Sequence, residues 1–403
     1  EMTDHGMGNL KQVSALALNA GFDMDMVSDG LLTTTEESLK EGKVNQSQID
    51  QACRRILEAK YRLGLFDDPY RYCDANRAST EIFTPENRQI AREIAAQSLV
   101  LLKNDKQILP LPNKKTIALV GPLADNAENM TGTWSVAADF SKSVSLLQGL
   151  KNAVGENANI VYAKGTNVVS DPDLDARISI FGKPTKWDKR PQKEMIAEAV
   201  AAARKADVVV AAVGESAEMS GEAACRTNIG LPDNQKELLE ALLATGKPVV
   251  MVLFSGRPLA ISWEKAHVPA ILTVWFTGTE AGNAIADVLF GKVNPSGKLT
   301  MTFPQNIGQV PIFYNHKNTG RPLPEGTWFQ KFKSNYLDVP NEPLYPFGYG
   351  LSYTTFDYKN LKLSSNELNQ TGEITVSVEV TNSGNYDGAE VVQLYTRDLV
   401  GSV

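Results

Sequence analysis

Residues 207–226 read DVVVAAVGESAEMSGEAACR, a nearly continuous apolar run followed at once by a polar loop. A run of this kind indicates a strand that is buried on both faces, as in a parallel sheet covered by helices. Comparable runs occur at 116–120, 159–162, 248–254 and 270–275. Helical periodicity marks 87–102, 192–205, 234–245 and 280–290. The alternation predicts an α/β fold in which helices sandwich a parallel sheet.

The segment before residue 66 is organised differently. Helix patterns cover 9–20, 34–42 and 45–61, and an alternating run at 22–27 predicts one strand between the first two. A single strand with its helices cannot complete a sheet, so we expect this part to belong to a larger β/α structure. Residues 66–86 are polar and interrupted by prolines, as is typical of a linker.

A third kind of pattern follows the sandwich. Residues 305–350 are rich in Pro, Gly, Asn and Tyr, and two alternating runs at 374–380 and 390–396 predict strands of a β-sandwich that has only begun. The predicted domains are therefore a β/α segment, a linker, the α/β sandwich, an ordered connecting segment and the start of a β-sandwich. Their predicted ranges are 1–65, 66–86, 87–304, 305–355 and 356–403.

Composition and motifs exclude several classes of function. Among 403 residues, 47 acidic side chains outnumber 40 basic ones, and no basic stripe suggests a nucleic-acid partner. The longest apolar runs are too short to cross a bilayer. The three cysteines and three histidines lack metal-ligand spacing, and neither a G-x-S-x-G elbow nor a G-x-G-x-x-G turn is present. We expect no metal, no cofactor, no nucleic acid and no membrane.

The loop after the 207–213 strand carries the candidate chemistry. Glu215, Glu218 and Glu222 lie within eight residues of one another. The loop follows the carboxyl end of a parallel strand, which is where open α/β sheets bind ligands. A carboxyl group placed there could act as a general acid, but a glutamate in a polar loop is more often simply solvated. The residues alone leave the three glutamates open.

Several short stretches, in this order, resemble one known family. They are 19–26 (NAGFDMDM), 52–57 (ACRRIL) with 60–66 (KYRLGLF), 98–104 (SLVLLKN), 294–299 (NPSGKL) with 303–304 (FP), and 345–356 (YPFGYGLSYTTF). The resemblance is to glycoside hydrolase family 3, and most of all to its periplasmic β-glucosidases. It implies the end of a (β/α)8 barrel, then an (α/β)6 sandwich, then the start of a fibronectin type III-like domain.

The resemblance also implies a retaining two-carboxylate mechanism. Counting back from Leu231 and Pro232 puts the family's acid/base on Glu222, with Glu215 as the runner-up. Trp134 resembles a tryptophan that walls the leaving-group side of related active sites, although a tryptophan there could equally pack in a core. The family's Asp nucleophile is expected before this sequence, because the His5-Gly6 context of Asp4 matches the loop downstream of it.

These resemblances lead to a functional expectation for the intact protein. It would remove terminal β-D-glucosyl residues from β-linked oligosaccharides in the periplasm or outside the cell. This chain would need the N-terminal barrel segment as a partner and would be inactive alone, and a homodimer is left open. The alternatives are a β-xylosidase of the same family or a non-catalytic carbohydrate-binding module.

Overall fold

The structure is a computed structural model that describes residues 2–112, 114–155, 159–317, 320–324 and 326–398. The chain divides into two compact units, Glu1–Thr84 and Pro85–Val403.

The first unit is helical. Its helices are α1 (Leu10–Asn19), α2 (Gly30–Lys40), α3 (Gln46–Arg62) and the short α4 (Arg77–Glu81). Asn9 and Asn45 begin α1 and α3 with capping boxes, in which each side chain accepts a hydrogen bond from the third residue of its helix. The small core contains Ala15, Leu18, Val44 and Ala52.

The strand predicted at 22–27 is wrong. The structure has no strand there, and Phe22, Met24, Met26 and Val27 are 64%, 63%, 84% and 85% exposed. A strand forms only when its backbone pairs with another, and no second strand occurs among the described residues of this unit. Asp25 instead shapes a turn, because its side chain accepts hydrogen bonds from the backbone N–H groups of Ser28 and Gly30 at 2.9 and 2.7 Å.

The second unit is built on a six-stranded sheet. Its strands are β1 (Val100–Asn104), β2 (Ile117–Val120), β3 (Ile160–Ala163), β4 (Val208–Gly214), β5 (Val249–Phe254) and β6 (Ala270–Thr273). The order across the sheet is β1-β6-β5-β4-β2-β3, and every neighbouring pair is parallel except β1 with β6. The predicted α/β fold is confirmed, with a mixed rather than purely parallel sheet.

Helices cover both faces of this sheet. They are α5 (Pro85–Ser98), α6 (Leu146–Val154), α7 (Pro172–Arg177), α8 (Gln192–Lys205), α9 (Asp233–Leu243), α10 (Ser262–His267) and α11 (Ala281–Leu289). Along β4, Val208 and Val210 enter one core cluster, which includes residues of α6 and α11, whereas Val209 and Ala211 enter the other, with residues of α8 and α9. The apolar run is continuous because neither face of the strand meets water.

The helix predicted at 87–102 is wrong at its C-terminal end. Helix α5 stops at Ser98, and the chain continues as β1, the antiparallel edge strand. The apolar run Leu99–Leu102 is too short for periodicity to separate a strand from a buried helix turn. Its pairing with β6 decides the matter, and Leu351 forms an isolated bridge to Leu101 on the other side.

The C-terminal part contains one small sheet. Strands β7 (Phe356–Leu363) and β8 (Val376–Asn382) pair in antiparallel fashion, with an irregularity between Lys359 and Lys362. The sequence predicted the second of these strands but missed the first, whose polar Lys and Asn residues conceal it. The strand predicted at 390–396 is also wrong, because its backbone pairs with no strand in the described chain.

Candidate active site

Loops from several strands meet at one edge of the sheet. Because β2, β3, β4 and β5 run parallel, the segments that follow them all leave from the same side. Two of these segments, 169–181 after β3 and 218–234 after β4, line a cavity of about 1030 Å³. A cavity of this size can hold a ligand of several rings. The candidate site is therefore this cavity with the loop 215–226.

Glu222 is the exposed carboxyl group of the loop. It lines the cavity, and its side chain forms no hydrogen bond or ion pair with any residue that the structure describes. The flanking residues Gly221 and Ala223 both have positive φ, at 129° and 56°. Ala223 is held in a region that non-glycine residues avoid, and such residues cluster at functional sites. Glu222 is thus presented to solvent by a tightly shaped turn.

Glu215 occupies an opposite environment. Its side chain is 0% exposed, and its Oε1 accepts a hydrogen bond of 2.7 Å from Nη1 of Arg226. The Nε of Arg257 lies 3.2 Å from the same oxygen. The backbone N–H of Glu215 donates to the carbonyl of Phe254 at 2.8 Å, which ties the ends of β4 and β5 together. A carboxylate placed this way is paired with two partly buried guanidinium groups and does not line the cavity.

Glu218 is also committed to internal contacts. Its Oε1 accepts a hydrogen bond of 2.9 Å from Nζ of Lys183, and its Oε2 accepts one of 3.0 Å from Oγ1 of Thr133. The Lys183 and Glu218 side chains are only 1% and 8% exposed, and Lys183 also donates to the carbonyl of Thr133 at 3.1 Å. This buried ion pair joins the loop to two other segments of the sheet edge.

Trp134 is exposed rather than packed in the core. Its relative exposure is 73%, and it lies in the turn 132–135 that follows β2. Ser135 closes this turn by donating to the carbonyl of Gly132 at 2.9 Å. Next to Trp134, Thr133 lies so close to Gly221 that a Cβ on the glycine would be 2.5 Å from Cγ2 of Thr133. The turn therefore contacts the Glu222 loop directly, although Trp134 itself does not line the 1030 Å³ cavity.

Sequence reasoning missed three groups that shape this site. Arg257 lies three residues after the end of β5 and could have been noticed as a charge at the carboxyl end of an apolar strand. Lys183 and the cavity residue Phe181 lie in a segment without periodicity, so no pattern marks them. Phe181 is 74% exposed and has a φ of 55°. Only the folded chain brings them to the loop that carries Glu222.

Other sequence predictions concern absences and Asp4. No group of His, Cys, Asp or Glu suited to a metal ion occurs among the residues that the structure describes. Within the same residues, no helix has the length and hydrophobicity needed to cross a membrane. Asp4 lies in the first unit, in the turn before α1.

Comparison with known proteins gives a consistent result. Residues 99–353 match the glycosyl hydrolase family 3 C-terminal domain. The chain is 47% identical to the periplasmic beta-glucosidase of Salmonella typhimurium, and the match covers 100% of this chain and 53% of the relative. It is 41% identical to a beta-xylosidase of Formosa agariphila, with 98% of this chain and 52% of the relative covered.

Solved structures agree with these relatives. A beta-glucosidase from Listeria innocua in complex with glucose has a TM-score of 0.86 at 37% identity, covering 99% of this chain and 52% of that chain. A b-glucosidase from Erythrobacter marinus has a TM-score of 0.78 at 32% identity, covering 95% and 50%. The chain spans about half the length of the proteins it matches. On its sequence and its fold, the chain belongs to glycoside hydrolase family 3 and contains that family's C-terminal domain.

Proposed function

We propose that the intact protein removes terminal β-D-glucosyl residues from β-linked oligosaccharides, with Glu222 as the acid/base of a retaining mechanism. The observation that carries this proposal is the contrast among the three loop glutamates. Glu215 and Glu218 are buried in ion pairs, and although Glu218 also borders the cavity, only Glu222 of the three borders it with an exposed side chain that is unpaired within the described chain. A general acid must reach the departing oxygen, and Glu222 is the loop glutamate best placed to do so.

The proposed chemistry needs a second carboxylate about 5 Å from Glu222, on the other side of the anomeric carbon. In the first step that carboxylate attacks the anomeric carbon, and Glu222 gives its proton to the leaving-group oxygen as the glycosidic bond breaks. In the second step Glu222 takes a proton from water, and the water oxygen displaces the enzyme carboxylate. The nucleophile is proposed to be an aspartate on a preceding barrel segment.

The remaining predictions complete this proposal. The first unit would be the last part of the (β/α)8 barrel, and the β7–β8 pair the start of a fibronectin type III-like domain. Trp134 would offer an aromatic face to the apolar side of a sugar ring, which its 73% exposure permits. The relative named as periplasmic supports a location in the periplasm or outside the cell. The Formosa agariphila relative supports β-xyloside hydrolysis as the second candidate activity.

The test uses the full-length protein with this chain joined to its barrel segment. We expect Glu222→Ala to lower kcat/KM for a natural disaccharide by about 10²–10⁴-fold, which is the usual contribution of general acid catalysis. Added azide should restore turnover of 4-nitrophenyl β-glucoside, because azide attacks the glycosyl-enzyme without a general base. The matched control is Glu194→Ala, which alters an exposed glutamate of α8.

Three results would contradict the proposal. Full activity of Glu222→Ala would remove it from the mechanism and return attention to Glu215 and Glu218. Activity on 4-nitrophenyl β-xyloside that exceeds activity on the β-glucoside would favour the second candidate. Absence of hydrolysis in the wild-type protein, together with retained sugar binding, would favour a non-catalytic module.

A further inference from the structure

We infer that Arg257 is a positioning residue for the acid/base. Its hydrogen bonds to the loop on both sides of Glu222 set the direction of the Glu222 carboxyl group. This inference rests on the proposed function. Arg257 does not line the cavity and is not proposed to touch substrate. It follows β5, whereas Glu222 follows β4. The role therefore links the ends of two neighbouring strands.

Arg257 holds the loop through two hydrogen bonds from one nitrogen. Nη2 of Arg257 donates to the carbonyl of Met219 and, at 2.8 Å, to the carbonyl of Ala224. These carbonyls lie three residues before Glu222 and two residues after it. A single guanidinium group is thereby hydrogen-bonded to both ends of the short turn that carries the Glu222 carboxyl group.

The side chain of Arg257 is held in turn by Glu215, and its backbone by Ser255. Its Nε lies 3.2 Å from Oε1 of the fully buried Glu215, and its backbone N–H donates to Oγ of Ser255 at 3.0 Å. Arg226 shares the same Glu215 oxygen through Nη1 at 2.7 Å, and its Nη2 donates to the carbonyl of Gly230 at 3.1 Å. One buried carboxylate therefore orients two arginines, and both arginines bond to carbonyls of the loop after β4.

The conformation of the turn shows why the hydrogen bonds from Arg257 are needed. Glu222 has no side-chain partner in the described chain, so its direction is set by the backbone on either side. That backbone includes Gly221 and Ala223 at positive φ. A non-glycine residue stays in this region only when its surroundings hold it there. The hydrogen bonds from Arg257 to Met219 and Ala224 hold the turn closed around these two residues, together with the 3.4 Å bond from the backbone N–H of Ala224 to the carbonyl of Gly221.

The competing interpretation is that Arg257 only stabilises the fold. The two interpretations differ in which substrates they affect. A loss of folded protein lowers the rate for every substrate by the same factor. A displaced general acid slows departure only of those leaving groups that need a proton. The ratio of kcat/KM for a substrate with a good leaving group to kcat/KM for one with a poor leaving group therefore distinguishes the two interpretations.

The experiment compares Arg257→Ala, Glu222→Ala and wild type in the full-length protein. It measures kcat/KM for phenyl, 4-nitrophenyl and 2,4-dinitrophenyl β-glucosides. We expect Arg257→Ala to lose about 10²-fold on the phenyl glucoside and little on the 2,4-dinitrophenyl glucoside, which departs without protonation. Added ethylguanidinium should restore part of the phenyl glucoside activity. The matched control is Arg204→Ala, an exposed arginine of α8.

A second variant covers the case in which Arg257→Ala does not fold. Arg257→Lys keeps the charge but has no planar fork to hold two carbonyls and the Glu215 carboxylate together, so it should show the same leaving-group dependence. An equal loss on all three glucosides, while Glu222→Ala remains leaving-group dependent, would overturn the positioning role and leave the proposed function intact. If Glu222→Ala shows no such dependence, the acid/base assignment fails instead.

Discussion

Replacing Lys183 by Met should reveal how strongly the sheet edge depends on its buried ion pair. The Lys183 and Glu218 side chains are 1% and 8% exposed, so the variant leaves a carboxylate buried without its cation. Breaking a buried pair by removing one partner costs about 3–5 kcal/mol. Glu218 keeps its 3.0 Å hydrogen bond from Thr133 and borders the cavity, so we expect a value at the low end, about 3 kcal/mol.

Urea unfolding followed by tryptophan fluorescence measures this loss. All five tryptophans lie in the second unit, so the signal reports on the unit that contains the pair. With a slope of about 3 kcal/mol per molar urea, the midpoint should fall by about 1 M. Lys193→Met, at an exposed lysine of α8, is the matched control and should leave the midpoint nearly unchanged.

A second substitution gives the test its sign. Glu218→Gln should destabilise the wild-type chain, because it leaves Lys183 buried without a carboxylate. The same Glu218→Gln change should stabilise Lys183→Met, because it removes the uncompensated charge. Coupling between contacting residues is expected to exceed about 1 kcal/mol here. If the two substitutions add within about 0.5 kcal/mol, the pair does not act as a buried ion pair and the reasoning is refuted.

Two further predictions concern other parts of the fold. Gly282→Ala should lower the free energy of unfolding by about 2 kcal/mol or more, because a Cβ at this position would lie 2.0 Å from the carbonyl oxygen of Ser145. The control is Gly308→Ala, where the nearest atom to an added Cβ is 3.8 Å away, and it should be close to neutral in the same urea titration. Hydrogen bonds from Ser28 lower the pKa of Asp25 from 3.8 to about 2. The stabilisation that ionised Asp25 gives the folded turn is therefore complete above pH 3.8 and lost as pH falls through about 2. Asp25→Asn should speed amide hydrogen exchange in residues 28–40 at pH 6 but not below pH 2. An equal effect at the two pH values would contradict this prediction.

The α/β fold was predictable because its central strands are apolar on both faces. Runs such as 208–213 are wholly apolar and were therefore expected in the interior, where all six of these side chains are buried. The strand at 22–27 could not be judged in the same way, since its formation depends on a partner strand that the pattern does not show. The edge strand β1 was missed for a related reason, because an apolar run of four residues suits either a helix turn or a strand.

The candidate site was predictable only in part. The loop after β4 could be identified from sequence because it follows an apolar strand and carries three glutamates. Which glutamate is exposed depends on Arg226, Arg257 and Lys183, and two of these lie far from the loop in sequence. Long-range ion pairs leave no local periodicity, so the division between buried Glu215 and Glu218 and exposed Glu222 appears only after folding.

The continuous burial of β4 has a consequence for how freely its sequence can vary. In a strand with one solvated face, every second position accepts a polar residue, and tolerance to substitution alternates along the chain. Residues 208–213 have no such outward position, since all six side chains are at most 3% exposed. The strand that leads to the Glu222 loop therefore offers no neutral route for polar change, and its variation is confined to exchanges among small apolar side chains.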